Sequence, residues 1–358
     1  ERDNAETARR DALALALSNA SIVDLEVDQE RALLLAVEAV EVTRRADGTV
    51  IRAAEEALHR TLQSFRLVQT LDGGSDMVVA PDGAAVVAGD RATIWNTQTG
   101  EILASSPASY TATDEDGDPF QQALEGVTAV DVNPDGDPVA MGTADGTVAL
   151  WDPASDEVIP IQVPGEGQGR QIRDVRFSPD GSLVVWGDEG GFWTAWDLAA
   201  GAASHGGRVD VGVADLDVRV AFSPDGSMAA IAGDASAFWD LSGEVIELSP
   251  GSTISDLAFR DGSTLLSVDR DGRLAWWNVE AGVQEEDSFD LGDVSPTAVA
   301  IDPTGSLTAV GFSNGQIRVL SGEGADLTDL FSLSGHQQAV RSLSFTPESG
   351  LLLSTSED

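Results

Sequence analysis

Apolar and polar positions alternate in short runs through most of this chain, and the runs come in threes. Within residues 171–197, Ile172, Val175 and Phe177 are spaced as the buried positions of a strand that ends at Phe177. Ser178-Pro179-Asp180-Gly181 then makes a tight turn, in which proline sets φ at the first corner and glycine supplies the positive φ on leaving it. Residues 183–186 are continuously apolar, which predicts a strand buried on both faces. Residues 187–191 turn the chain again, and 192–196 form a third strand closed by Asp197. A lone meander cannot bury two apolar faces, so it requires neighbours built the same way.

The neighbours are present. The turn glycine recurs at Gly83, Gly136, Gly181, Gly226, Gly262, Gly305 and Gly350, at spacings of 53, 45, 45, 36, 43 and 45 residues. The third-strand ending recurs at Trp95-Asn96, Trp151-Asp152, Trp196-Asp197, Trp239-Asp240 and Trp277-Asn278, while the sixth unit departs with Arg318-Val319-Leu320-Ser321. A period near ~40–45 residues with four strands and a Trp-Asp ending is the repeat signature of a propeller blade.

On these motifs the chain resembles the WD40 family over residues 65–358. The resemblance implies an all-β, WD40-type propeller, seven-bladed in the intact protein, whose last blade is closed by a strand from the other end of the chain. Residues 65–71 sit where such a closing outer strand belongs. It also implies a hydrogen-bonded set in each blade: a Gly-His before the first strand, Ser/Thr and Asp around the second turn, and the Trp. Only Gly335-His336 supplies the first element, with Ser356 and Asp358 as its expected partners. Unit two keeps Thr143, Asp145 and Trp151, and unit five keeps Asp271 and Trp277, without the histidine. Most blades are therefore expected to rely on packing, with Trp95, Trp151, Trp196, Trp239 and Trp277 as inter-blade contacts. The seventh unit stops at Asp358, before its Trp strand, and residue 1 is not methionine. Both features lead us to expect a piece of a longer protein.

Residues 1–63 lack this pattern and read as a helical linker or stalk. Leu13, Leu17 and Ala20 mark one face of a first helix, and Asp28 caps a second in which Leu34, Val37 and Glu38 show a broad apolar face. After the break at Ala46-Asp47-Gly48, Thr49 caps a third, with Ile51, Ala54, Leu58 and Leu62 in one stripe. The phrasing of residues 28–40 and 46–62 resembles the helical linker of large actinobacterial multidomain signalling proteins, in which a WD40 region follows a regulatory module and often one membrane span. That resemblance implies a bacterial, extracytoplasmic, membrane-tethered propeller; the alternative is a cytoplasmic one.

Composition narrows the partners. Asp and Glu total 61 against 20 basic residues, all of them arginine, for a formal charge of −41. Such a surface repels nucleic acid and anionic lipid heads, so a protein or peptide partner is expected, with no nucleic acid and no direct membrane contact. With no cysteine there is no disulfide, thiolate nucleophile or Cys-metal site. No apolar run reaches the ~18 residues of a membrane span.

Little in the chain reads as catalytic. His59, His205 and His336 fall in a helix, a loop and a blade-capping position, and Ser204-His205 has no orienting carboxylate in sequence. Asp114, Asp116 and Asp118, in the long insertion 106–126, form a weak calcium-loop pattern that lacks the closing glutamate, so a solvated acidic loop is the favoured reading. Gly165, Gly167 and Gly169 precede a strand where a phosphate loop requires a helix. No cofactor is expected. What remains is surface: aligning the units on Phe177, Phe259 and Phe345 places Thr128, Arg173, Ser255, Thr297 and Arg341 at the start of innermost strands, facing the channel and its rim. The arginines suit a carboxylate-bearing partner, since the guanidinium fork binds carboxylates in two-point contact. The expected function is a non-catalytic interaction, scaffold or sensor module of a larger signalling protein. A propeller-hosted metal enzyme and a structural spacer are the alternatives.

Overall fold

The computed structural model describes residues 2–24, 35–40, 42–43, 51–54, 56–57, 74–113, 119–124, 126–161, 169–208, 218–233, 236–241, 245–248, 252–322, 327–347, 351–356 and 358. The chain divides into two compact units, Glu1–Thr70 with Ser332–Gly335, and Leu71–Phe331 with His336–Asp358.

The first unit begins with the helix Arg2–Asp24. Its buried face is not the expected one: Ala14, Ser18 and Ser21 are buried, whereas Leu13 is 51% exposed. Small side chains let other backbone approach closely, and Ser18 returns its hydroxyl to the carbonyl of Ala14 (2.7 Å), so burying it leaves no unmet polar group. The same preference recurs in the second helical stretch, where Ala36 and Ala39 are buried and Val37 is exposed. Asp28, Leu34, Thr49, Leu58, Leu62 and the expected closing strand 65–71 lie outside the described residues.

The second unit is an all-β propeller. Among the described residues six four-stranded antiparallel sheets follow one another, each ordered from its first strand outward to its fourth. Blade 1 runs from Asp76–Val79 to Ile102–Ser105, blade 2 from Val127–Val132 to Glu157–Ile161, and blade 3 from Ile172–Phe177 to Ala202–Arg208. Blade 4 runs from Arg219–Phe222 to Val245–Leu248, blade 5 from Ile254–Phe259 to Val283–Asp290, and blade 6 from Pro296–Ile301 to Thr328–Leu333. A two-stranded sheet, Val340–Phe345 with Leu352–Ser356, follows blade 6. The first strand of each sheet packs on the first strand of the next, and Val340–Phe345 packs on both Pro296–Ile301 and Asp76–Val79, so the order is cyclic.

Tryptophans fill the seams. Trp151 packs with Val86 and Ala88 of blade 1, Trp239 with Val185 and Trp193 of blade 3, and Trp277 with Ala230 and Phe238 of blade 4. Trp95 meets Leu353 of the two-stranded sheet. Trp196 is only half-buried, against the core that holds Ala129 and Ala140 of blade 2. The neighbouring Trp276 belongs to the core shared with Val310 and Phe312 of blade 6, because adjacent strand residues face opposite sides of the sheet. In blade 6 Leu320, fully buried, takes the tryptophan's place. Close approach between blades also demands glycine: a Cβ on Gly142 or Gly187 would lie 2.3 Å from the side chain of Ile172 or Val218 in the following blade.

The insertion 106–126 contains a hairpin, Ser109–Thr113 with Pro119–Ala123, on either side in sequence of the residues expected to form an acidic loop. Tyr110 and Ala112 are buried while Ser109 and Thr111 are exposed, a two-residue alternation that carries one edge of the hairpin into the core beneath it. Asp114, Asp116 and Asp118 lie outside the described residues.

Candidate functional site

Five of the innermost strands open with the same irregularity. Register shifts occur between Val127 and Ala129, Ile172 and Asp174, Ile254 and Asp256, Pro296 and Ala298, and Val340 and Ser342. Thr128, Arg173, Ser255, Thr297 and Arg341 are the residues inside those shifts, so the five proposed partner-binding residues share one level of the propeller. Their chemistry differs. The Thr128 hydroxyl donates to the carbonyl of Ile172 (2.6 Å) and that of Thr297 to the carbonyl of Val340 (2.7 Å), each on the next innermost strand. These two hydroxyls tie sheets together. Arg173 reaches Glu189 at 3.6 Å and stays half-buried, as do Ser255 and Arg341.

One level deeper lies a set of charges that the sequence reading missed. Asp76, Asp174, Arg219 and Asp256 each stand three residues before the apolar residue that closes their strand (Val79, Phe177, Phe222, Phe259). Asp131 and Arg176 stand one residue before it. A charged residue at a fixed step inside an otherwise apolar strand was the available signal.

Each of the four carboxylates crosses to the following blade and accepts its backbone. Val130 N–H donates to Asp76 (3.2 Å), Phe177 N–H to Asp131 (2.6 Å), Val220 N–H to Asp174 (2.8 Å) and Val299 N–H to Asp256 (2.8 Å). Every accepting aspartate takes the amide one register position further along. Arg176 sits among them, 3.0 Å from Asp174 and 3.6 Å from Asp76, and donates to the carbonyls of Val130 and Val175. Burial pushes Asp174 up to about 7, against the pull of Arg176 and Arg219. Burial likewise pushes Asp131 up to about 6 against Arg176, and raises Asp256 against Arg219. For Arg176 burial acts downward, but Asp174, then Asp76, Asp131 and Asp256, outweigh it and hold the guanidinium charged. Charge-assisted bonds of this kind are about twice as strong as neutral ones, which suits them to stitching blades whose seams are otherwise apolar.

His336 forms a second polar constellation. Its Nδ1 lies 3.0 Å from Asp358 and its Nε2 2.9 Å from the hydroxyl of Ser354, while Gln337 N–H donates to Asp358 (2.8 Å). The hydroxyl is Ser354's, where the sequence reading expects Ser356's. The two serines share a face of their strand by alternation, so spacing alone did not separate them. An Asp-His-Ser relay of these distances also occurs in acyl-transfer sites. Blade 5 shows what this position does here: Ser267, which pairs across its sheet as Ser354 does, accepts the indole N–H of Trp277 (2.8 Å). Unit two forms a related set, with the Thr143 hydroxyl donating to Asp145 and accepting Thr147 N–H. His205 instead packs at a tilt of 48° against Trp239, ring centres 4.8 Å apart, and His59 lies outside the described residues. Among the described residues no three His, Cys, Asp or Glu side chains converge as a metal site requires.

The family model for the WD domain, G-beta repeat, matches residues 120–152 and 327–358. The first match spans the inserted hairpin's second strand through Asp152, and the second runs from the outer strand of blade 6 through Asp358. No curated protein matches the chain. The two matches and the ring of four-stranded sheets together support a WD40-type propeller.

Proposed function

We propose that this chain is a non-catalytic interaction module of a larger signalling protein, which docks a protein or peptide through the propeller end that carries its arginines. WD40 propellers typically mediate protein–protein interaction, and a rigid ring with variable loops offers a broad surface for it. The observation that carries the reading is the sorting of charge between the two ends. Antiparallel order places the residues before each first strand, and the turns between second and third strands, at one end. Arg91, Arg170, Arg173, Arg208, Arg270, Arg273 and Arg341 fall there, interspersed with Asp90, Asp145, Glu189, Asp271 and Asp293. The turns between first and second strands, at the other end, carry Asp82, Asp135, Asp180, Asp225, Asp261 and Asp302, with Arg260 the one arginine among them. In a chain of charge −41, an end that gathers the cations is where a carboxylate-bearing surface meets least repulsion.

Within the same proposal the intact protein has seven blades, the two-stranded sheet being the inner half of the last. Its support is that this sheet already contacts both blade 6 and blade 1. The proposal also places the propeller outside the cytoplasm, tethered through the longer protein; no helix among the described residues is long and apolar enough to cross a membrane.

The test is a photo-crosslinking residue placed at Arg341 or at Asp225 in the full-length protein. A protein crosslinked from position 341, and lost on Arg173→Glu, supports the reading. Crosslinks arising only from position 225 overturn it.

A further inference from the structure

The outermost strand of blade 3, Ala202–Arg208, differs from most other sheet edges, although Ile102–Ser105 of blade 1 also lacks charge and proline. All seven of its residues are exposed, and no strand pairs with its outer side among the described residues. Proteins usually guard such edges with charge or proline, because open N–H and C=O groups recruit further strands. Guards are present on other blades: Pro160 in Glu157–Ile161, Glu285 in Val283–Asp290, and Asp329 in Thr328–Leu333. Ala202–Arg208 has Ala, Ser, His and Gly along its length and an arginine only at its end.

That end is built. Arg208 pairs across the sheet with Phe192, and the guanidinium carbons of Arg170 and Arg208 lie 4.7 and 5.2 Å from the centre of the Phe192 ring. The turn beneath is held by Asp188, which accepts Gly190 N–H (2.8 Å) and Phe192 N–H (3.0 Å). A Cβ on Gly190 would lie 2.9 Å from Arg170 Cδ, so a larger residue there would require the arginine to shift. The other contacts of the two cations are long: Arg170 to Asp188 at 3.8 Å, and Arg208 to the carbonyl of Gly190 at 3.4 Å. Stacking engages the guanidinium faces; with Arg170 Nη1 buried, the in-plane N–H groups left to meet a carboxylate are chiefly those of Arg208.

We propose that the outer edge of Ala202–Arg208 takes an extended peptide as a fifth strand of blade 3, with an acidic residue of that peptide held by Arg208 and Arg170. Backbone pairing supplies affinity and the arginine pair sets the register, the division of labour usual in strand addition. A long polyanion is disfavoured, because beyond a screening length of about 8 Å it meets a strongly acidic surface. This site lies on the outer rim and uses two of the arginines, Arg170 and Arg208, of the docking end proposed above, so a control at Arg341 is needed to tell the two apart.

The test uses the whole chain and a fluorescein-labelled peptide of three Thr-Val repeats ending in two glutamates. Binding should slow amide hydrogen exchange across residues 203–207, and should weaken at least 10-fold with Arg170→Glu/Arg208→Glu or when glutamine replaces the peptide's glutamates. Arg341→Glu should leave it unchanged, which separates this site from the end-face reading. Binding without protection of residues 203–207, equal binding of the glutamine peptide, displacement by single-stranded DNA, or occupation of this edge by a second copy of the chain in sedimentation would each overturn the proposal.

Discussion

The hydroxyl of Ser342 donates a 3.1 Å hydrogen bond to the backbone carbonyl of Met77, joining the last innermost strand to the first across 265 residues of sequence. Thr128 and Thr297 make the equivalent gesture between consecutive sheets. Ser342 makes it where the ring closes. Ser342→Ala should therefore cost about 1–2 kcal/mol, since it leaves a buried carbonyl without its donor. Denaturant unfolding measures the loss, and amide exchange should show it as faster opening of Val340–Phe345. An unchanged exchange rate there would mean that packing alone closes the ring.

The buried aspartates make stability depend on pH in an unusual sense. A carboxyl raised from the ordinary range to about 7 (Asp174) or about 6 (Asp131) binds its proton more tightly folded than unfolded. Its contribution is fully present below the unfolded value near 4 and is lost as pH rises through the folded one. The thermal midpoint should fall between pH 5 and pH 8 as Asp174 and Asp131 lose their protons. General repulsion in a chain of charge −41 acts in the same direction. The discriminating quantity is thus the difference between the chain and its Asp174→Asn variant, whose midpoint should vary less with pH. Parallel curves would refute the assignment.

Ser267 accepts the indole N–H of the buried Trp277. Ser267→Ala orphans that donor and should destabilise by about 1–3 kcal/mol. Met141 pairs with Ala149 as Ser267 pairs with Ala275, and offers its own blade's tryptophan no hydroxyl. Met141→Ala should therefore act through lost packing alone, at about 2–5 kcal/mol. Near-ultraviolet circular dichroism should report a tryptophan change in the first variant.

Fully buried and half-buried tryptophans should separate clearly. Trp151 is completely inaccessible, and Trp151→Ala should cost about 3–5 kcal/mol. Trp196, half-buried, should cost less when truncated in the same way. Equal losses by urea titration would show that the seams do not carry the stability.

The relay of Asp358, His336 and Ser354 should prove structural. A fluorophosphonate probe should leave Ser354 unlabelled, while Ser354→Ala should lower the unfolding midpoint. Labelling of Ser354 would reopen an acyl-transfer reading.

The repeat was legible because its causes are local. A proline-aspartate-glycine turn, a four-residue apolar run and a terminal tryptophan each act within a few residues, so their recurrence names the blade and its seams. Leu320 in the tryptophan's place illustrates the limit: it packs as the tryptophans do but lacks the letter by which they are recognised. Thr128 and Thr297 were found at the right level, but the bonds of their hydroxyls were not legible, since what they meet belongs to a strand more than forty residues away. The aspartates of the channel were overlooked for the same reason. In a chain this acidic one more Asp conveys nothing, until closure of the ring brings Asp174, Asp76 and Arg176 together out of water. The order and kind of the strands thus followed from nearest neighbours along the chain. Which polar groups hold the blades to one another depended on distances that only the closed ring creates.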